Sequence, residues 1–462
     1  MPKPTIPQGT RDFNAETVRK RNYIFNSIRS VFERYGFEPL ETPAMENLDT
    51  LIGKYGEEGD KLMFKILNNG ISNPKNIEKS KAGFEKVLVG KSSSDLTERA
   101  LRYDLTIPFA RYVAMNHGRL TFPFRRYQIQ PVWRGDSPQK GRYREFTQCD
   151  ADVVGSKSLF NEAELASIYH EVFLKLGLPE YRLCINSRKI LTGLAQVCNA
   201  EQSTIAITTA IDKLDKIGIE KVQLELENAG MNPDQIQRLT SYLTLDRAAG
   251  TPAASNEERL LFLEHFFEKN EAGLEGIREI RFVLELLPDI PNILVDPTLA
   301  RGLNYYTGII FEAKAPEGVQ MGSIGGGGRY DDLTGLFEVP GIPGVGISFG
   351  VDRIFDVLTE LQLFPETLST GTEVLFFNMG ETESHFAFQL MQQLRSRGTS
   401  CELYQESAKI GKQFNYAEKK QIPYVVIIGS KEIEQQYCVL KNLKTGVQEV
   451  LVFEKLFEFF NK

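Results

Sequence analysis

The sequence predicts an α+β fold in which helices flank an antiparallel sheet. Strand-like runs separated by turn residues occupy the stretches before residue 187 and after residue 272, and a block rich in Lys, Glu, Gln, Leu and Ala lies between them. That block predicts a helical insertion. From Thr372 onward, short apolar runs alternate with amphipathic stretches, which predicts a separate small α/β domain.

Length, charge and cysteine usage limit what the chain can be. Its 462 residues are too many for one hydrophobic core, and its net charge of -7 means that any nucleic-acid contact must depend on local patches. The five cysteines are odd in number and lack CxxC spacing, which argues against a disulfide framework or a zinc site. No apolar run approaches the roughly 18 residues that span a bilayer. We therefore expect a cytoplasmic protein with no membrane contact.

The first third of the chain predicts a helix followed by short, broken strands. Apolar residues recur at helical spacing through residues 15–35. The run GFEPLETPAMENL predicts a strand that Pro39 and Pro43 break, which is typical of a sheet edge or an interface. We expect two short strands around a polar loop over residues 63–88. The segment RYDLTIPFARYVAMN begins extended and is expected to become helical after Pro108.

A long hairpin is the most distinctive predicted element. Two strand-like runs, RRYQIQPVWR and REFTQCDADVVG, flank a loop that contains Pro138 and Gly141. Antiparallel pairing would set the two arms side by side, so that Arg134 and the acids of the second run face one cavity. A clear amphipathic helix, LFNEAELASIYHEVFLKLG, follows the hairpin.

Strands are expected to return after the insertion, in which DRAAGTPAASNEE has the composition of a loop or linker. NILVDPTLARGLNYYTGIIFEA, GSIGGGG and GVGISFG predict further strands, and the last one passes into a helix with Arg353 in its first turn. In the C-terminal part, EVLFFNM, CELYQ, YVVIIG and CVLKNL predict short buried strands that are mostly parallel.

The glycine-rich runs do not have nucleotide-loop spacing. GSIGGGGRYDD lacks the Gly-Lys-Ser/Thr ending of a P-loop, and GVGISFG departs from GxGxxG and follows Pro343 rather than a buried strand. We expect instead that backbone approaches a ligand or a neighbouring strand closely. Arg353 opposes the helix dipole, and that conflict indicates a bound anion.

Several segments, taken in order, resemble motifs of a known family. GFEPLETPAMENL, VWRGDSPQKGRYREFTQCD and GVGISFGVDRI resemble motifs 1, 2 and 3 of class II aminoacyl-tRNA synthetases. LARGLNYYTGIIFEA resembles the histidine-binding signature of the histidyl-tRNA synthetase family, with Asn304 where the family pattern has Asp. The resemblance extends over nearly the whole chain. It implies a catalytic domain in two parts, residues 1–186 and 273–364, a helical insertion at 187–272, and an anticodon-binding domain at 372–462.

Members of this family join L-histidine to ATP, giving histidyl-adenylate and pyrophosphate, and then move the histidyl group to the 3′ end of tRNA(His). The resemblance implies ATP as a substrate, with Mg²⁺ accompanying it, and a homodimer. Because Mg²⁺ would come with ATP, no dedicated protein metal site is expected. The four histidines have no metal-ligand spacing. Fixed cations suit the first step, since two anions approach each other and charge builds on the phosphoryl oxygens.

Carried over residue by residue, the resemblance gives an ATP site rich in arginine, which is always charged and forked toward phosphate. Arg134 and Arg301 match the catalytic residues that contact the α-phosphate. Arg142 and Arg353 match positions nearer the β- and γ-phosphates. Phe146 is expected to stack on adenine.

The resemblance also gives a histidine site. Three residues match the family positions that accept hydrogen bonds from the substrate ammonium: Asp104, Thr106 and Gln148. Asp152 and Tyr306 are expected to contact the imidazole, and Tyr305 is expected to line the pocket. Asp152 is shorter than the Glu common in the family, so backbone position or a water must close the remaining distance.

The hairpin tip and the overall activity leave alternatives open. Gln139 and Lys140 are candidates to contact the tRNA acceptor end, and a merely solvated loop is the alternative. Another class II synthetase, for threonine, proline or glycine, would share motifs 2 and 3 and the C-terminal domain. A non-catalytic synthetase-like regulator that binds histidine is the second alternative. The run RGLNYYTG argues against the first alternative. The presence of Arg134, Arg301 and Arg353, and of a C-terminal domain, argues against the second.

Overall fold

The structure is a computed structural model that describes residues 3–244, 255–300, 305–369 and 371–460. The chain folds into two compact units: Met1–Arg11 with Tyr23–Leu363, and Asp12–Asn22 with Phe364–Lys462. Across the described ranges, no helix is both long enough and apolar enough to cross a membrane.

The strands of the described residues are, in chain order, β1 (Glu38–Pro39), β2 (Met45–Asn47), β3 (Lys65–Ile66), β4 (Arg99–Leu101), β5 (Phe124–Trp133), β6 (Glu145–Val154), β7 (Arg182–Ser187), β8 (Ile293–Val295), β9 (Ile309–Lys314), β10 (Gly325–Tyr330), β11 (Gly344–Gly350), β12 (Val374–Phe376), β13 (Cys401–Leu403), β14 (Tyr424–Ile427), β15 (Tyr437–Asn442) and β16 (Gln448–Val452).

The α-helices are α1 (Ala15–Arg34), α2 (Leu48–Leu51), α3 (Gly56–Lys61), α4 (Ile77–Leu88), α5 (Thr106–Asn116), α6 (Phe160–Lys175), α7 (Arg188–Val197), α8 (Thr204–Asp212), α9 (Leu214–Ile217), α10 (Ile219–Asn228), α11 (Pro233–Leu243), α12 (Asn256–Phe266), α13 (Glu271–Glu285), α14 (Val351–Glu360), α15 (Glu381–Ser396), α16 (Ile410–Lys419), α17 (Ser430–Glu434) and α18 (Phe453–Phe460). Short 3-10 helices span Glu201–Ser203, Leu333–Phe337 and Glu366–Ser369.

The first unit is organised around a sheet to which the described residues contribute eight strands, in the spatial order β1-β5-β6-β11-β10-β9-β7-β8. Neighbouring strands run antiparallel except at the two edges, where β1 pairs parallel with β5 and β7 pairs parallel with β8. The predicted α+β class, with an antiparallel sheet flanked by helices, is confirmed. Strand β7 was not predicted. Its polar residues hid it, because Asn186 is fully buried and donates hydrogen bonds to the carbonyl oxygens of Pro297 and Leu299.

The predicted hairpin is confirmed and forms the longest pair of strands in this sheet. Strands β5 and β6 pair in register from Phe124 with Val154 to Trp133 with Glu145. Strand β11 pairs with the other edge of β6 and leads directly into α14, as predicted. The hairpin therefore lies inside the sheet, where one of its faces can support a binding site.

The proline-broken segment lies at the sheet edge, as predicted, and a buried arginine secures it. Pro39 lies in edge strand β1. Arg102 is 1% exposed and donates hydrogen bonds to the carbonyl oxygens of Thr42 at 2.6 Å, Pro43 at 3.2 Å and Pro131 at 2.8 Å. Proline has no backbone N–H and cannot donate a hydrogen bond. In this proline-containing region, the Arg102 guanidinium donates to the backbone carbonyl groups instead.

The prediction of two short strands over residues 63–88 is half wrong. Only β3 forms there, in a small antiparallel sheet of order β2-β4-β3, and helix α4 follows it. The many lysines and the polar start of this segment concealed helical spacing. Glu78 and Lys81 form an i,i+3 ion pair at 3.0 Å, and Glu78 near the start and Lys86 near the end suit the helix dipole.

The helical character predicted for residues 187–272 is confirmed by helices α7 to α12. Helical structure continues through α13, beyond residue 272. Residues 246–254 of the predicted linker lie outside the described residues. The last part of that linker starts α12, where the Ser255 hydroxyl accepts from Glu258 N and the Glu258 carboxylate accepts from Ser255 N.

The second unit contains a five-strand sheet of order β13-β12-β14-β15-β16 in the described residues. Strands β13, β12 and β14 are parallel, but β15 and β16 pair antiparallel. Two of the three pairs among the four predicted strands are parallel, so the prediction of mostly parallel strands is confirmed for them, whereas the antiparallel strand β16 was not predicted. The connections from β14 to β15 and from β15 to β16 are too short for the roughly dozen residues that a parallel crossover needs. Helices α15 and α18 pack on this sheet through Leu390, Leu394 and Leu456.

Candidate active site

A cavity of about 450 Å³ lies on one face of the eight-stranded sheet. Most residues that the sequence singled out line it: Asp104, Thr106, Arg134, Arg142, Phe146, Gln148, Asp152, Tyr305, Tyr306 and Arg353. Gln139 and Lys140 are not among the lining residues. The structure therefore brings together side chains that the sequence spreads from residue 104 to residue 353.

Strand β6 supplies a row of side chains to this cavity. Phe146, Gln148, Asp150 and Asp152 all line it, and they are spaced two residues apart. Because successive side chains of a strand point to opposite faces, these four share one face of the sheet. At about 3.3 Å per residue, the row extends roughly 20 Å from Phe146 to Asp152. One end of the row adjoins the hairpin loop, and the other lies deep in the sheet.

Glycines on the neighbouring strands make room for this row. Gly346 on β11 pairs with Asp152, and a Cβ at Gly346 would overlap the Asp152 carboxylate. Gly327 on β10 lies against β11 so closely that a Cβ there would overlap the carbonyl oxygen of Gly346. The predicted close approach of backbone to a neighbouring strand is thus confirmed for both glycine-rich runs.

Arg134 and Arg142 lie at the loop end of the cavity. Arg134 Nε donates to the carbonyl oxygen of Tyr103 at 3.0 Å, and its guanidinium lies 4.4 Å from the Tyr103 ring centroid and 5.2 Å from that of Phe146. Arg142 Nη1 is 3.9 Å from Asp136 Oδ1, and the Arg142 side chain is 48% exposed. Backbone and aromatic rings thus position Arg134 tightly, whereas Arg142 stays in contact with solvent.

Arg353 approaches the same end of the cavity from the first turn of α14. Its Nε donates to the carbonyl oxygen of Gly141 at 2.8 Å, and its Nη1 donates to that of Ser323 at 2.6 Å. These bonds connect the helix to the hairpin loop on one side and to the start of β10 on the other. The guanidinium is therefore fixed at the helix N-terminus, where the dipole alone would disfavour a cation.

Asp104 lies between the two ends and is almost fully buried. The Tyr55 hydroxyl donates to its Oδ1 at 2.8 Å, and the backbone N–H of Ile107 donates to the same atom at 3.2 Å. Burial raises the pKa of Asp104, and the positive charge of Arg134 opposes that rise. Thr106 follows in the first turn of α5 and hydrogen-bonds Tyr305, whose ring centroid is 4.8 Å from that of Tyr306.

Asp152 occupies the deep end and has a cation of its own. Arg126 Nη2 lies 2.8 Å from Asp152 Oδ2, and the Tyr330 hydroxyl donates to Asp152 Oδ1 at 2.5 Å. Arg126 is fully buried, with its guanidinium 4.1 Å from the ring centroid of Phe109. Burial raises the pKa of Asp152, while Arg126 and Tyr330 favour the ionised form. The deep end therefore contains a buried, oriented carboxyl group next to tyrosine hydroxyls.

Comparisons with known proteins show the family of this chain. Residues 91–354 match the sequence family described as histidyl-tRNA synthetase, and residues 373–462 match an anticodon binding domain. The chain is 50% identical to a histidine--tRNA ligase of Christiangramia forsetii, over 98% of both chains.

The chain belongs to the histidyl-tRNA synthetase family. It is also 48% identical to a histidine--tRNA ligase of Flavobacterium johnsoniae, again over 98% of both chains. A crystal structure of histidyl-tRNA synthetase from a Nostoc species superimposes with a TM-score of 0.80 at 32% identity, covering 99% of this chain and 98% of that one. The family resemblance inferred from the sequence motifs is confirmed.

Three residues of the cavity were not predicted from the sequence. Asp150, Tyr330 and Tyr55 all line it and contact or adjoin the predicted acids. The signal for Asp150 was present, because it continues the two-residue alternation through Phe146, Gln148 and Asp152. Tyr330 and Tyr55 come from distant segments, and no local pattern relates them to β6.

The cavity lining does not include every residue that the sequence singled out. Arg301 and Asn304 of the histidine-binding signature lie outside the described residues. Lys140 is 60% exposed at its side chain and forms an ion pair with Glu360 at 2.9 Å. Gln139 bridges to Arg142 across the loop, where the two backbones exchange hydrogen bonds.

Across the described ranges, no cluster of three or more His, Cys, Asp or Glu side chains has a metal-binding arrangement.

Proposed function

We propose that this chain activates L-histidine with ATP, forming histidyl-adenylate and pyrophosphate, and transfers the histidyl group to the 3′ end of tRNA(His). One observation carries the proposal: a single cavity is lined by guanidinium groups at the loop end and by buried carboxyl and phenol groups at the deep end. Membership of the histidyl-tRNA synthetase family supports the same activity. ATP is then a substrate, and Mg²⁺ would arrive with it.

In the first step, a carboxylate oxygen of histidine attacks the α-phosphorus of ATP, and the bond to pyrophosphate breaks. Arg134, together with Arg301, would neutralise charge on the α-phosphate, while Arg142 and Arg353 would act nearer the β- and γ-phosphates. The stacked position of Arg134 between Tyr103 and Phe146 supports this role. A guanidinium that is already fixed in position before the substrates react needs little reorganisation during the reaction.

Adenine would stack on Phe146, the aromatic residue of the β6 row at the loop end. Histidine would then extend along the row toward the deep end. Its ammonium would meet Asp104, Thr106 and Gln148. Its imidazole would meet Asp152 and Tyr306, and Tyr305 would line the pocket. A buried polar pocket discriminates strongly, because an analogue that lacks the imidazole nitrogens leaves its groups unpaired.

In the second step, a ribose hydroxyl of the tRNA terminus attacks the carbonyl carbon of the adenylate, and AMP leaves. Gln139 and Lys140, at the exposed hairpin tip, would guide the acceptor end. Their exposure supports this role, since a cation that is to meet a phosphate must be reachable from solvent. The C-terminal domain, residues 372–462, would bind the anticodon.

Amino-acid-dependent pyrophosphate exchange tests the activity. We expect exchange with histidine and none with threonine, proline or glycine. Exchange with another amino acid, or no exchange, would refute the proposal. An Arg301→Ala variant that still exchanges at full rate would remove the catalytic role assigned to Arg301.

The proposal also includes an assembly, a location and a division of the chain. We propose a homodimer, for which the proline-broken edge segment near Pro43 and the family membership are the support. A monomeric sedimentation profile at micromolar protein would refute it. A cytoplasmic location is supported by the five cysteines, all of which are buried and free. We also propose that residues 187–272 form an insertion between two parts of one catalytic domain, 1–186 and 273–364.

A further inference from the structure

Asp150 is a buried carboxyl group of the cavity to which the proposed function assigns no role. It is 2% exposed and lies on β6 between Gln148 and Asp152, on the face that lines the cavity. Its Oδ1 has no hydrogen-bond partner among the residues that the structure describes. A buried carboxyl oxygen in this condition destabilises the protein unless a bound molecule supplies the missing partner.

The residues that pair with Asp150 across the sheet are neutral. Across the sheet it pairs with Gln128 on β5 and with Ser348 on β11, and Ser348 hydrogen-bonds its carboxyl group. By contrast, Asp152 has the Arg126 guanidinium at 2.8 Å. Both carboxyl groups lie on the same strand face, two residues or roughly 7 Å apart along the strand.

The charged groups that face Asp150 come from three elements. Arg126 on β5 favours its ionised form, whereas Asp152 on β6 and Asp104 ahead of α5 oppose it. Among the described residues, Arg126 is the cation that acts on both carboxyl groups of β6. Asp150 and Asp152 are adjacent carboxyl groups, and one guanidinium serves both. A ligand that donates a further N–H hydrogen bond or a proton would therefore suit them.

An imidazole ring has this property. Neutral imidazole has one N–H donor and one bare nitrogen, and the charged ring has two donors. A carboxylate accepts from an N–H, and a protonated carboxyl donates to a bare nitrogen. Burial raises the pKa of Asp150 to about 7, near the ordinary imidazole value of about 6.5. At neutral pH, the carboxyl group can therefore match either form of the ring.

We infer that Asp150 is a specificity-determining residue that hydrogen-bonds one ring nitrogen of the bound histidine while Asp152 binds the other. The inference rests on the proposed function. It extends that function by having both nitrogens of the imidazole recognised by carboxyl groups of one strand. A ring with a single nitrogen, or with a methyl group on either nitrogen, would lose one of the two hydrogen bonds.

The first test measures pyrophosphate exchange by the full chain with Asp150→Ala and Asp150→Asn variants. We expect Asp150→Ala to raise the KM for histidine roughly 10- to 100-fold, since it leaves a ring nitrogen unpaired, and to leave the KM for ATP within about twofold. Asp150→Asn keeps a donor and an acceptor and should have a smaller effect. A histidine KM within twofold of wild type in Asp150→Ala would overturn the inference.

The second test asks which ring nitrogen Asp150 contacts. Removal of the carboxyl group leaves space for a methyl group, so Asp150→Ala should favour one of the two isomers, Nπ-methylhistidine or Nτ-methylhistidine. We expect kcat/KM for that isomer, relative to histidine, to rise at least about tenfold. An unchanged ratio for both isomers would contradict the inference. Asp289→Asn, at an exposed position, is the matched control and should change neither quantity.

Controls separate this inference from the proposed function and from misfolding. Absence of histidine-dependent exchange in the wild-type chain would contradict the proposed function itself, whereas normal exchange that is insensitive to Asp150 would contradict only the inference. Thermal unfolding and circular dichroism check each variant. If both variants fail to fold, wild-type competition decides. Failure of both methylhistidines to inhibit supports the inference, and inhibition by either one within about fivefold of the histidine KM overturns it.

Discussion

At the loop end of the cavity, Arg134 and Arg353 are held by backbone carbonyl groups and aromatic rings, whereas at the deep end Asp150 and Asp152 depend on buried side chains. The arginines keep their charge at any physiological pH. The carboxyl groups do not, because burial raises the pKa of each. The cavity therefore combines a fixed electrostatic end, suited to polyphosphate, with a deep end whose charge depends on protons and on the ligand.

The largest effect should come from removing a fixed cation. We expect Arg353→Ala to lower the rate of histidine-dependent pyrophosphate exchange roughly 10²- to 10³-fold, as the loss of a preorganised group at a developing charge typically does. The KM for histidine should stay within about twofold, because Arg353 lies at the other end of the cavity. Steady-state exchange measures both. Arg34→Ala, at an exposed position of α1, is the control, and a full rate in Arg353→Ala would remove Arg353 from the ATP site.

The next effect should come from the backbone wall at the deep end. A Cβ at Gly346 would overlap the Asp152 carboxylate, so Gly346→Ala should displace Asp152 and lower kcat/KM for histidine by about 10- to 100-fold. The KM for ATP should change much less, which distinguishes this variant from Arg353→Ala. Gly118→Ala is the matched control, because no atom lies within 4 Å of the added carbon. If Gly346→Ala impaired the use of ATP and of histidine equally, the cavity would not have two functionally separate ends.

A smaller effect, on stability, should follow from the Asp150 carboxyl group. Burial raises its pKa from the ordinary value of 3.8 to about 7, so the ligand-free fold must either take up a proton or bury a charge. Ionisation of Asp150 therefore opposes folding as pH rises from about 4 to 7, and this loss persists above pH 7. At pH 8 we expect Asp150→Asn to raise Tm by roughly 2–4 °C relative to wild type.

Thermal unfolding of the two ligand-free proteins between pH 4 and pH 8 measures this difference. The gain should shrink as pH falls through the interval and become small near pH 4, where Asp150 is protonated in the folded wild type and only partly ionised in the unfolded chain. A gain that does not vary with pH would point to packing rather than to charge. Saturating histidine should reduce the gain at pH 8, since the ligand supplies the missing partner in the wild type.

The smallest effect should come from the exposed hairpin tip. Lys140 forms a surface ion pair with Glu360, which contributes little to stability. We expect Lys140→Ala to raise the KM for tRNA in aminoacylation about two- to fivefold while leaving pyrophosphate exchange unchanged. Lys157→Ala, another exposed lysine of the same unit, should affect neither assay. Loss of exchange in Lys140→Ala would mean that the tip acts on the first step.

Sequence patterns predicted best where one physical constraint dominates. The hairpin followed from two alternating runs and a Pro/Gly loop, and the motif residues on β6 followed from the family resemblance. The helix α4 was mistaken for a strand because its lysines obscured its apolar spacing, and β7 was missed because Asn186 is polar yet fully buried. Those features depend on what packs around them, which a local pattern does not contain.

The same distinction applies inside the cavity. Asp150 continues an alternation that is visible in the sequence, so it could have been found. Tyr55 and Tyr330 could not, because their relation to Asp104 and Asp152 exists only after segments far apart in the chain have packed together. The residues that orient the predicted acids therefore could not be predicted from local sequence patterns.

The glycine wall opposite Asp152 also limits how this protein could diverge or be redesigned. Gly327 and Gly346 have no side chain. Any substitution at these two positions therefore adds atoms to the wall, and no substitution can remove atoms from it. Redesign toward a bulkier amino acid has no side chain to shorten on that wall. Room for a bulkier ligand must therefore come from side chains elsewhere in the lining, such as those of Asp150 and Asp152 on β6.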